Sequence, residues 1–331
     1  MATLKDIAQR AGVTATTVSR VINNRGYISE GTRKKVYAAM EEMHYQPNEL
    51  ARAFSKQYTN TIGLIVPHIS HPFFIKVISN LESSAAEKGF KLLLCNSKEQ
   101  PEKEQDYLDM CISNRVAGIV LCSKYVQTRE FRKMNIPVVN LERGGDDDTI
   151  SVQCDNYQGG KLAAEHLIEC GCKNLLHFGG VAGKDMPADR RADGFSDVCK
   201  KAGIPYRILV SDRLQYGSMH YEDFIRRALQ EFPDVDGIFA SSDLIASQVI
   251  QVGAQMDKHV PEDIQLVGFD DVMISTVTTP QITTIHQPVE EMAELCVEYI
   301  TKSLKNEPVP QKIVLPVRLG QRGATGLKTE I

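Results

Sequence analysis

Carboxylates and guanidinium groups recur in this chain where a short apolar run ends or an amphipathic segment begins. Carboxylates accept hydrogen bonds from hydroxyl groups and guanidinium groups donate to hydroxyl oxygens, so together they suit a hydroxyl-rich small molecule. Two local alternatives exist: Asp243 is expected to cap a helix, and Asp270 with Asp271 could form a turn. The polar residues at these positions are Arg190, Arg191, Asp212, Arg213, Ser242, Asp243, Asp270 and Asp271.

A second polar set lies near the N-terminus, where Thr16, Arg20 and Asn23 are spaced i, i+4 and i+7. This spacing places a hydroxyl, a guanidinium and an amide on one helical face, without a carboxylate. Arg pairs with guanine and Asn with adenine in the major groove of DNA. The pattern favours a DNA-recognition helix, and the alternative is a helical hairpin with an ordinary polar face.

Three short amphipathic helices position that face. Apolar residues repeat at helical spacing from Leu4 to Ala11, Gly12 stops the first helix, and Thr14 caps a second. Ser29 can cap a third helix. Residues 1–60 contain nine Lys and Arg against five Asp and Glu, a net charge of +4, whereas the whole chain carries −4. Concentrated positive charge at one end suits contact with phosphate.

Beyond residue 60, short apolar runs alternate with amphipathic segments, which indicates doubly wound α/β layers. The alternation stops and restarts near residue 156, so we expect two Rossmann-like lobes. Ligands in such sheets bind at the carboxyl ends of strands, and two facing lobes form a cleft. The predicted strands are 62–67, 90–95, 117–122, 136–141, 174–180, 207–210, 237–241 and 264–270.

The composition fits a globular protein of two or three domains, with 42% hydrophobic and 24% charged residues in 331. No run approaches the length of a membrane span and the N-terminus lacks a secretory apolar core, so we expect a cytoplasmic protein without membrane contact. The eight cysteines show no metal-ligand spacing and are expected to be buried free thiols. The glycine-rich segment 177–185 lacks the spacing of a phosphate-binding loop, and no catalytic constellation is evident. No cofactor, metal or enzymatic activity is predicted.

Six motifs in order resemble the lactose/galactose-repressor family of bacterial transcription factors, over essentially the whole chain. They are TLKDIAQRAGVTATTVSRVIN (3–23), YQPNELARAFSK (45–56), HISHPFF (68–74), RRADGF (190–195), VPEDIQLVGFDD (260–271) and TPQITTIHQP (279–288). The resemblance implies an N-terminal all-α helix-turn-helix domain plus two α/β lobes of the periplasmic-binding-protein type. The expected bounds are 1–46 for the DNA-binding headpiece, 47–60 for a hinge helix and linker, and 61–331 for the effector domain. Lobe 1 is expected over 61–155 and 288–320, and lobe 2 over 156–287.

The resemblance also assigns DNA-contacting positions. Residues of the recognition helix match base-reading or supporting positions, and a hinge helix that folds on operator DNA would add minor-groove contacts. Phe54 stands where the family usually has a leucine wedge, and a phenyl ring can also pry a base step apart. The assigned residues are Ala15, Thr16, Thr17, Ser19, Arg20, Asn23, Asn48, Ala51 and Phe54.

Effector-binding positions are assigned in the same way. His71 stands where many relatives have Asn, and Arg213 falls near a position where an aromatic ring often stacks on the ligand. If Arg213 faces the cleft, the effector should carry phosphate or carboxylate. The assigned residues are His71, Phe73, Phe74, Arg191, Arg213, Ser242, Asp243, Asp270 and Gln287.

These features predict a dimeric transcriptional repressor that binds double-stranded operator DNA and responds to a sugar or sugar-phosphate effector. The motifs are most similar to those of ribose- and sucrose-type repressors. The chain has no C-terminal leucine heptads, so a homodimer is favoured over a tetramer. The alternatives are a catabolite-type regulator controlled by a protein co-effector, a nucleotide-binding enzyme, and a periplasmic sugar-binding protein.

Overall fold

The computed structural model describes residues 2–23, 25–45, 58–123, 125, 136–144, 149–181 and 186–326. The chain divides into two compact units, Met1–Thr59 and Asn60–Ile331. The predicted hinge positions Asn48, Ala51 and Phe54 lie outside the described residues.

The N-terminal unit contains helices α1 (Leu4–Ala11), α2 (Ala15–Ile22) and α3 (Glu30–Glu42). Thr3, Thr14 and Ser29 each accept a backbone N–H in the first turn of the following helix, as N-caps do. Gly12 ends α1 with φ +66°, a left-handed conformation that glycine adopts without a Cβ penalty. The three helices bury a small core that comprises Ile7, Ala8, Ala11, Val18, Val21, Val36 and Ala39.

The first lobe of the larger unit alternates strands and helices. The elements are β1 (Thr61–Val66), α4 (Pro72–Glu87), β2 (Lys91–Asn96), α5 (Pro101–Ser113), β3 (Gly118–Leu121), β4 (Val138–Leu141) and β5 (Ile150–Cys154). With β11 (Lys312–Leu315), from a later part of the chain, the strands pair in parallel in the order β11-β5-β4-β3-β1-β2. Strands β1, β3 and β4 are almost wholly buried, as central parallel strands covered on both faces must be.

The second lobe repeats the pattern. The elements are α6 (Asn156–Glu169), β6 (Leu175–Val181), α7 (Arg190–Ala202), β7 (Tyr206–Ser211), α8 (Arg213–Ser218), α9 (Glu222–Glu231), β8 (Gly237–Ala240), α10 (Asp243–Gln255), β9 (Gln265–Asp270), α11 (Ile274–Val277) and β10 (Thr283–His286). A 3₁₀ turn at Pro187–Asp189 precedes α7. With β12 (Arg318–Gly320), the strand order is β12-β10-β9-β8-β6-β7, in which only β10 and β12 are antiparallel among the described strands.

The chain then passes between the lobes twice more. Helix α12 (Val289–Leu304) packs on α4 of lobe 1, and β11 (Lys312–Leu315) completes the first sheet beside β5. Strand β12 (Arg318–Gly320) instead pairs with β10 in the second sheet. The expected boundary placed residues up to 320 in lobe 1, and the pairing of β12 moves the last three of them to lobe 2.

Within the described part of the chain, no helix is long and apolar enough to cross a membrane. All eight cysteines are free and buried, as predicted from the sequence.

Candidate functional site

A cavity of about 560 Å³ lies among the carboxyl ends of strands from both lobes. Lobe 1 contributes residues of the loop after β1, the first turn of α4 and the ends of β3 and β4. Lobe 2 contributes the start of α7 and the ends of β6, β8 and β9. Seven of the nine predicted effector-binding residues line the cavity: His71, Phe73, Phe74, Arg191, Ser242, Asp270 and Gln287.

Two glycines bring Arg191 to this cavity. Helices α6 and α7 cross so closely that a Cβ on Gly160 would lie 2.0 Å from the carbonyl oxygen of Arg191. A Cβ on Gly194 would likewise lie 2.0 Å from the carbonyl oxygen of Tyr157. No larger residue fits either position unless the helices separate. The close crossing therefore holds the first turn of α7, which carries Arg191, beside the cavity.

The Arg191 guanidinium is held on three sides and is 6% exposed. Its Nε donates to Asn156 Oδ1 at 2.7 Å, and Nη1 donates to the Ser241 carbonyl at 2.5 Å. The guanidinium carbon lies 3.5 Å from the centre of the Phe269 ring, a cation–π contact. This support orients the guanidinium before any ligand binds, which lowers the entropic cost of binding.

Asp270 provides the acceptor beside that donor. Its carboxylate lies 4.0 Å from Arg191 Nη1 and accepts a hydrogen bond from Gln287 Nε2 at 2.6 Å. Burial raises the pKa of Asp270 to about 7, although Arg191 and the bond from Gln287 both lower it. Its φ of +105° is a strained conformation for a non-glycine residue, and such strain concentrates at functional sites.

Two polar atoms of the wall have no hydrogen-bond partner among the described residues. They are the Oε1 of Gln287 and the Oγ of Ser123, and both are buried. A buried polar group without a partner is costly, so these atoms mark where a hydroxyl-bearing ligand would gain most from binding.

Lobe 1 contributes an aromatic wall around His71. The His71 side chain caps α4 by accepting the Phe73 N–H at Nδ1, at 3.3 Å, which leaves Nε2 as the protonated nitrogen of the neutral ring. Burial lowers the pKa of His71 to about 4, with further lowering by His68 and Arg191, so the ring is neutral at pH 7. His71 contacts Phe74 edge-on at 5.7 Å between ring centres.

The N-cap of α10 and the position of Asp243 differ from the expected ones. The N-cap of α10 is Ser242, whose Oγ accepts the Ile245 N–H at 3.2 Å, and not Asp243. Asp243 lies outside the cavity lining and is fully buried, with its oxygens bonded to the Val272 N–H and to the Thr284 hydroxyl. Burial raises its pKa well above the usual value. Asp243 therefore braces the loop after β9 from behind.

Arg213 also lies outside the cavity lining. It is the exposed first residue of α8, and its guanidinium is 6.0 Å from the centre of the Tyr125 ring of lobe 1. Tyr216, one helical turn later, lines the cavity and faces His68 and His71 at 5.5 and 6.3 Å between ring centres. Tyr216 thus provides the aromatic ring in the cleft where a ligand ring could stack. Because Arg213 does not line the cavity, it gives no reason to expect an effector with a phosphate or carboxylate group.

In the N-terminal unit, α2 exposes Thr16 and Arg20, whereas Ala15, Thr17 and Ser19 are half-buried. Thr17 shares a hydroxyl bond of 2.9 Å with Thr14 at the start of the helix. Asn23 ends the helix, and its Nδ2 donates to the Ser19 carbonyl at 2.9 Å. The free donors of this face are therefore concentrated at Arg20 and Thr16, while Asn23 stabilises the helix end.

No group of three or more His, Cys, Asp or Glu side chains is arranged for a metal ion in the described segments.

Comparison with known proteins identifies the family. A model described as "Bacterial regulatory proteins, lacI family" matches residues 3–48, and a periplasmic binding protein-like domain matches residues 164–325. The ribose operon repressor of Halalkalibacterium halodurans is 33% identical over 326 residues, which cover 98% of this chain and 97% of that protein. The chain belongs to the LacI family.

Other LacI-family relatives agree over most of the chain. The sucrose operon repressor of Pediococcus pentosaceus is 35% identical over 324 residues, 96% of this chain and 97% of that protein. A LacI transcriptional regulator from Alkaliphilus metalliredigens, solved with D-xylulofuranose, superimposes with a TM-score of 0.73 at 32% identity. That comparison covers 81% of this chain and 99% of the solved one.

The structure adds site residues that the LacI-family motifs did not indicate. Glu142 lines the cavity directly after β4, so extending the strand-end rule to that strand would have found it. Glu99 and His177 also line it, and His177 is stacked at 4.5 Å on Phe239 within the second sheet. Nothing in the sequence distinguishes His177 from a core residue of its strand.

Proposed function

We propose that this LacI-family protein is a homodimeric cytoplasmic repressor that binds operator DNA and is controlled by a neutral sugar in the cavity between its lobes. The observation that carries this proposal is the buried Arg191–Asp270 pair, which lines the cavity between the lobes in a chain that also holds a helix-turn-helix. The relatives named as ribose and sucrose operon repressors support a carbohydrate operon as its target.

The charges of the cavity wall favour a neutral sugar over a phosphorylated one. The described lining contains four carboxyl groups, those of Glu99, Glu142, Asp189 and Asp270, and the single guanidinium of Arg191. Its Nε and Nη1 already donate to protein acceptors. An additional anion would be repelled by the carboxylates and would find few donors, whereas sugar hydroxyls can donate to them.

Operator binding tests the proposal. The purified protein is titrated onto its own upstream DNA at fixed salt, with and without D-ribose, D-xylulose, sucrose and the matching sugar phosphates. We expect sequence-specific binding to a near-palindrome that one neutral sugar changes by about 5- to 150-fold, the usual range of allosteric coupling. A decrease identifies an inducer and an increase a corepressor.

Two results would contradict the proposal. Binding that depends on salt and not on sequence would exclude a specific repressor. Specific binding that no small molecule changes would favour the alternative of a protein co-effector. Arg213→Ala is a matched control for Arg191→Ala, because only Arg191 lines the cavity.

A further inference from the structure

One amide side chain joins the ligand-facing arginine of lobe 2 to lobe 1. Asn156 is the first residue of α6, directly after the crossover from β5, and is 3% exposed. Its Oδ1 accepts from Arg191 Nε at 2.7 Å, and its Nδ2 donates to Glu142 Oε2 at 2.9 Å. Asn156 itself is not part of the cavity lining.

Glu142 anchors this link in lobe 1. It follows β4 with a left-handed φ of +49°, and its second oxygen accepts the Cys154 N–H at the end of β5, at 2.5 Å. Both carboxylate oxygens are therefore bonded to groups on either side of the first crossover. Glu142 is 9% exposed and shares the cavity wall with Arg191.

The same polar chain continues to the second crossover. Arg191 faces Asp270 at 4.0 Å, and Asp270 accepts from Gln287, which lies between β10 of lobe 2 and α12 of lobe 1. The contacts Glu142–Asn156–Arg191–Asp270–Gln287 thus connect the two crossovers across the floor of the cavity.

We propose that Asn156 is a positioning residue that couples sugar binding at Arg191 to the placement of lobe 1. Its carbonyl must face the guanidinium and its amino group must face the carboxylate, so its orientation is fixed by charge. A ligand that displaces the guanidinium either moves Glu142 with it or leaves a buried polar group unpaired, which is costly. This inference rests on the proposed function, because it concerns the response of the same cavity.

The test is a polarity reversal. Asn156→Asp keeps an acceptor for Arg191 but replaces the donor to Glu142 with a second carboxylate oxygen. The double variant Glu142→Gln with Asn156→Asp restores one donor and one acceptor with the same total charge, now with Gln donating to Asp. Asn306→Asp, at an exposed position after α12, is the control for the added charge alone.

D-ribose is the probe, and two quantities are measured for each variant: ribose affinity by calorimetry, and operator affinity with and without saturating ribose. We expect Asn156→Asp to reduce the ribose-induced change in operator affinity by about tenfold, the scale of one hydrogen bond to a charged group. The double variant should recover the change, and Asn306→Asp should behave as the wild type. An undiminished response in Asn156→Asp, or no recovery in the double variant, overturns the proposal.

A second measurement needs no sugar. Hydrogen–deuterium exchange of residues 150–160 should be faster in Asn156→Asp and slow again in the double variant, because the Cys154 N–H depends on Glu142. If the wild type responds to no sugar in the panel, the proposed function fails, and exchange alone then decides the link. Equal exchange in all variants shows that the link does not hold the crossover.

Discussion

Gly160→Ala should damage effector binding more than folding, although the added methyl group does not touch the cavity. The new Cβ would lie 2.0 Å from the Arg191 carbonyl oxygen, which is backbone and cannot rotate away. Ordinary contact requires about 3.4 Å, so α6 and α7 must separate by about 1.4 Å or the helices must bend. Arg191 begins α7 and moves with it.

The substitution changes the free energy of unfolding and the sugar affinity by different amounts. Overpacking costs about 1–3 kcal/mol, and the better helix propensity of Ala returns about 1 kcal/mol, so unfolding free energy should fall by about 0–2 kcal/mol. Moving the guanidinium by more than 1 Å breaks the bonds of 2.7 and 2.5 Å that orient it. A guanidinium that is no longer held in place also loses its hydrogen bond to the sugar, and a hydrogen bond to a charged group is worth about 1.5–3 kcal/mol, which lowers sugar affinity about 10- to 150-fold.

Urea unfolding and calorimetry with the responding sugar measure the two effects separately. Gly31→Ala is the matched control, because a Cβ there meets no atom within 4 Å and the site lies in α3 of the N-terminal unit. It should leave sugar affinity unchanged and raise the unfolding free energy of the N-terminal unit slightly, by about 0.5–1 kcal/mol. If Gly160→Ala binds sugar as tightly as the wild type, the helix crossing does not position Arg191 and the reasoning is refuted.

Three further predictions concern other residues. Asp270 has a native pKa of about 7 against a usual 3.8, so the native state binds more protons between these values and its stability falls as pH rises through them. Asp270→Asn should flatten that decline, which urea unfolding midpoints at pH 5 and pH 7.5 measure. If the midpoint falls between the two pH values as much in the variant as in the wild type, Asp270 is not the group responsible. Arg20→Ala should lower operator affinity by about 10- to 100-fold and leave calorimetric sugar binding intact, whereas equal operator affinity would remove Arg20 from the DNA interface. Thr14→Ala removes the N-cap of α2 and should cost about 1 kcal/mol, seen as a lower melting temperature of the N-terminal unit, and an unshifted melting curve would contradict the cap.

Local patterns were sufficient to predict the helices of the N-terminal unit and the central strands. Thr14 and Ser29 act through bonds within one helical turn, so their residue types identify them. Strands β1 and β3 are continuous apolar runs because both of their faces are buried. The ends of such strands, β9 among them, then indicated where Asp270 and the other polar groups gather.

What the sequence pattern missed depends on distant partners. Strand β5 alternates polar and apolar residues, and it is a strand because β4 and β11 flank it. Tyr216 faces the cavity because of a six-residue helix that carries no apolar stripe of its own. Asp243 looked like a cap because it begins α10, but Gly268 leaves room for its carboxylate, since a Cβ there would lie 2.4 Å from Oδ1. These roles are set by packing between segments far apart in sequence.

The last two strands have a consequence for biosynthesis. β11 forms one edge of the first sheet and β12 forms one edge of the second. The two strands are close in sequence, since β11 begins at Lys312 and β12 at Arg318. A nascent chain that has not yet passed residue 312 leaves β5 and β10 as open edges, which invite pairing with other chains. Both sheets are therefore completed within the same short stretch of synthesis, and a chain truncated before residue 312 should aggregate instead of acting as a weak repressor.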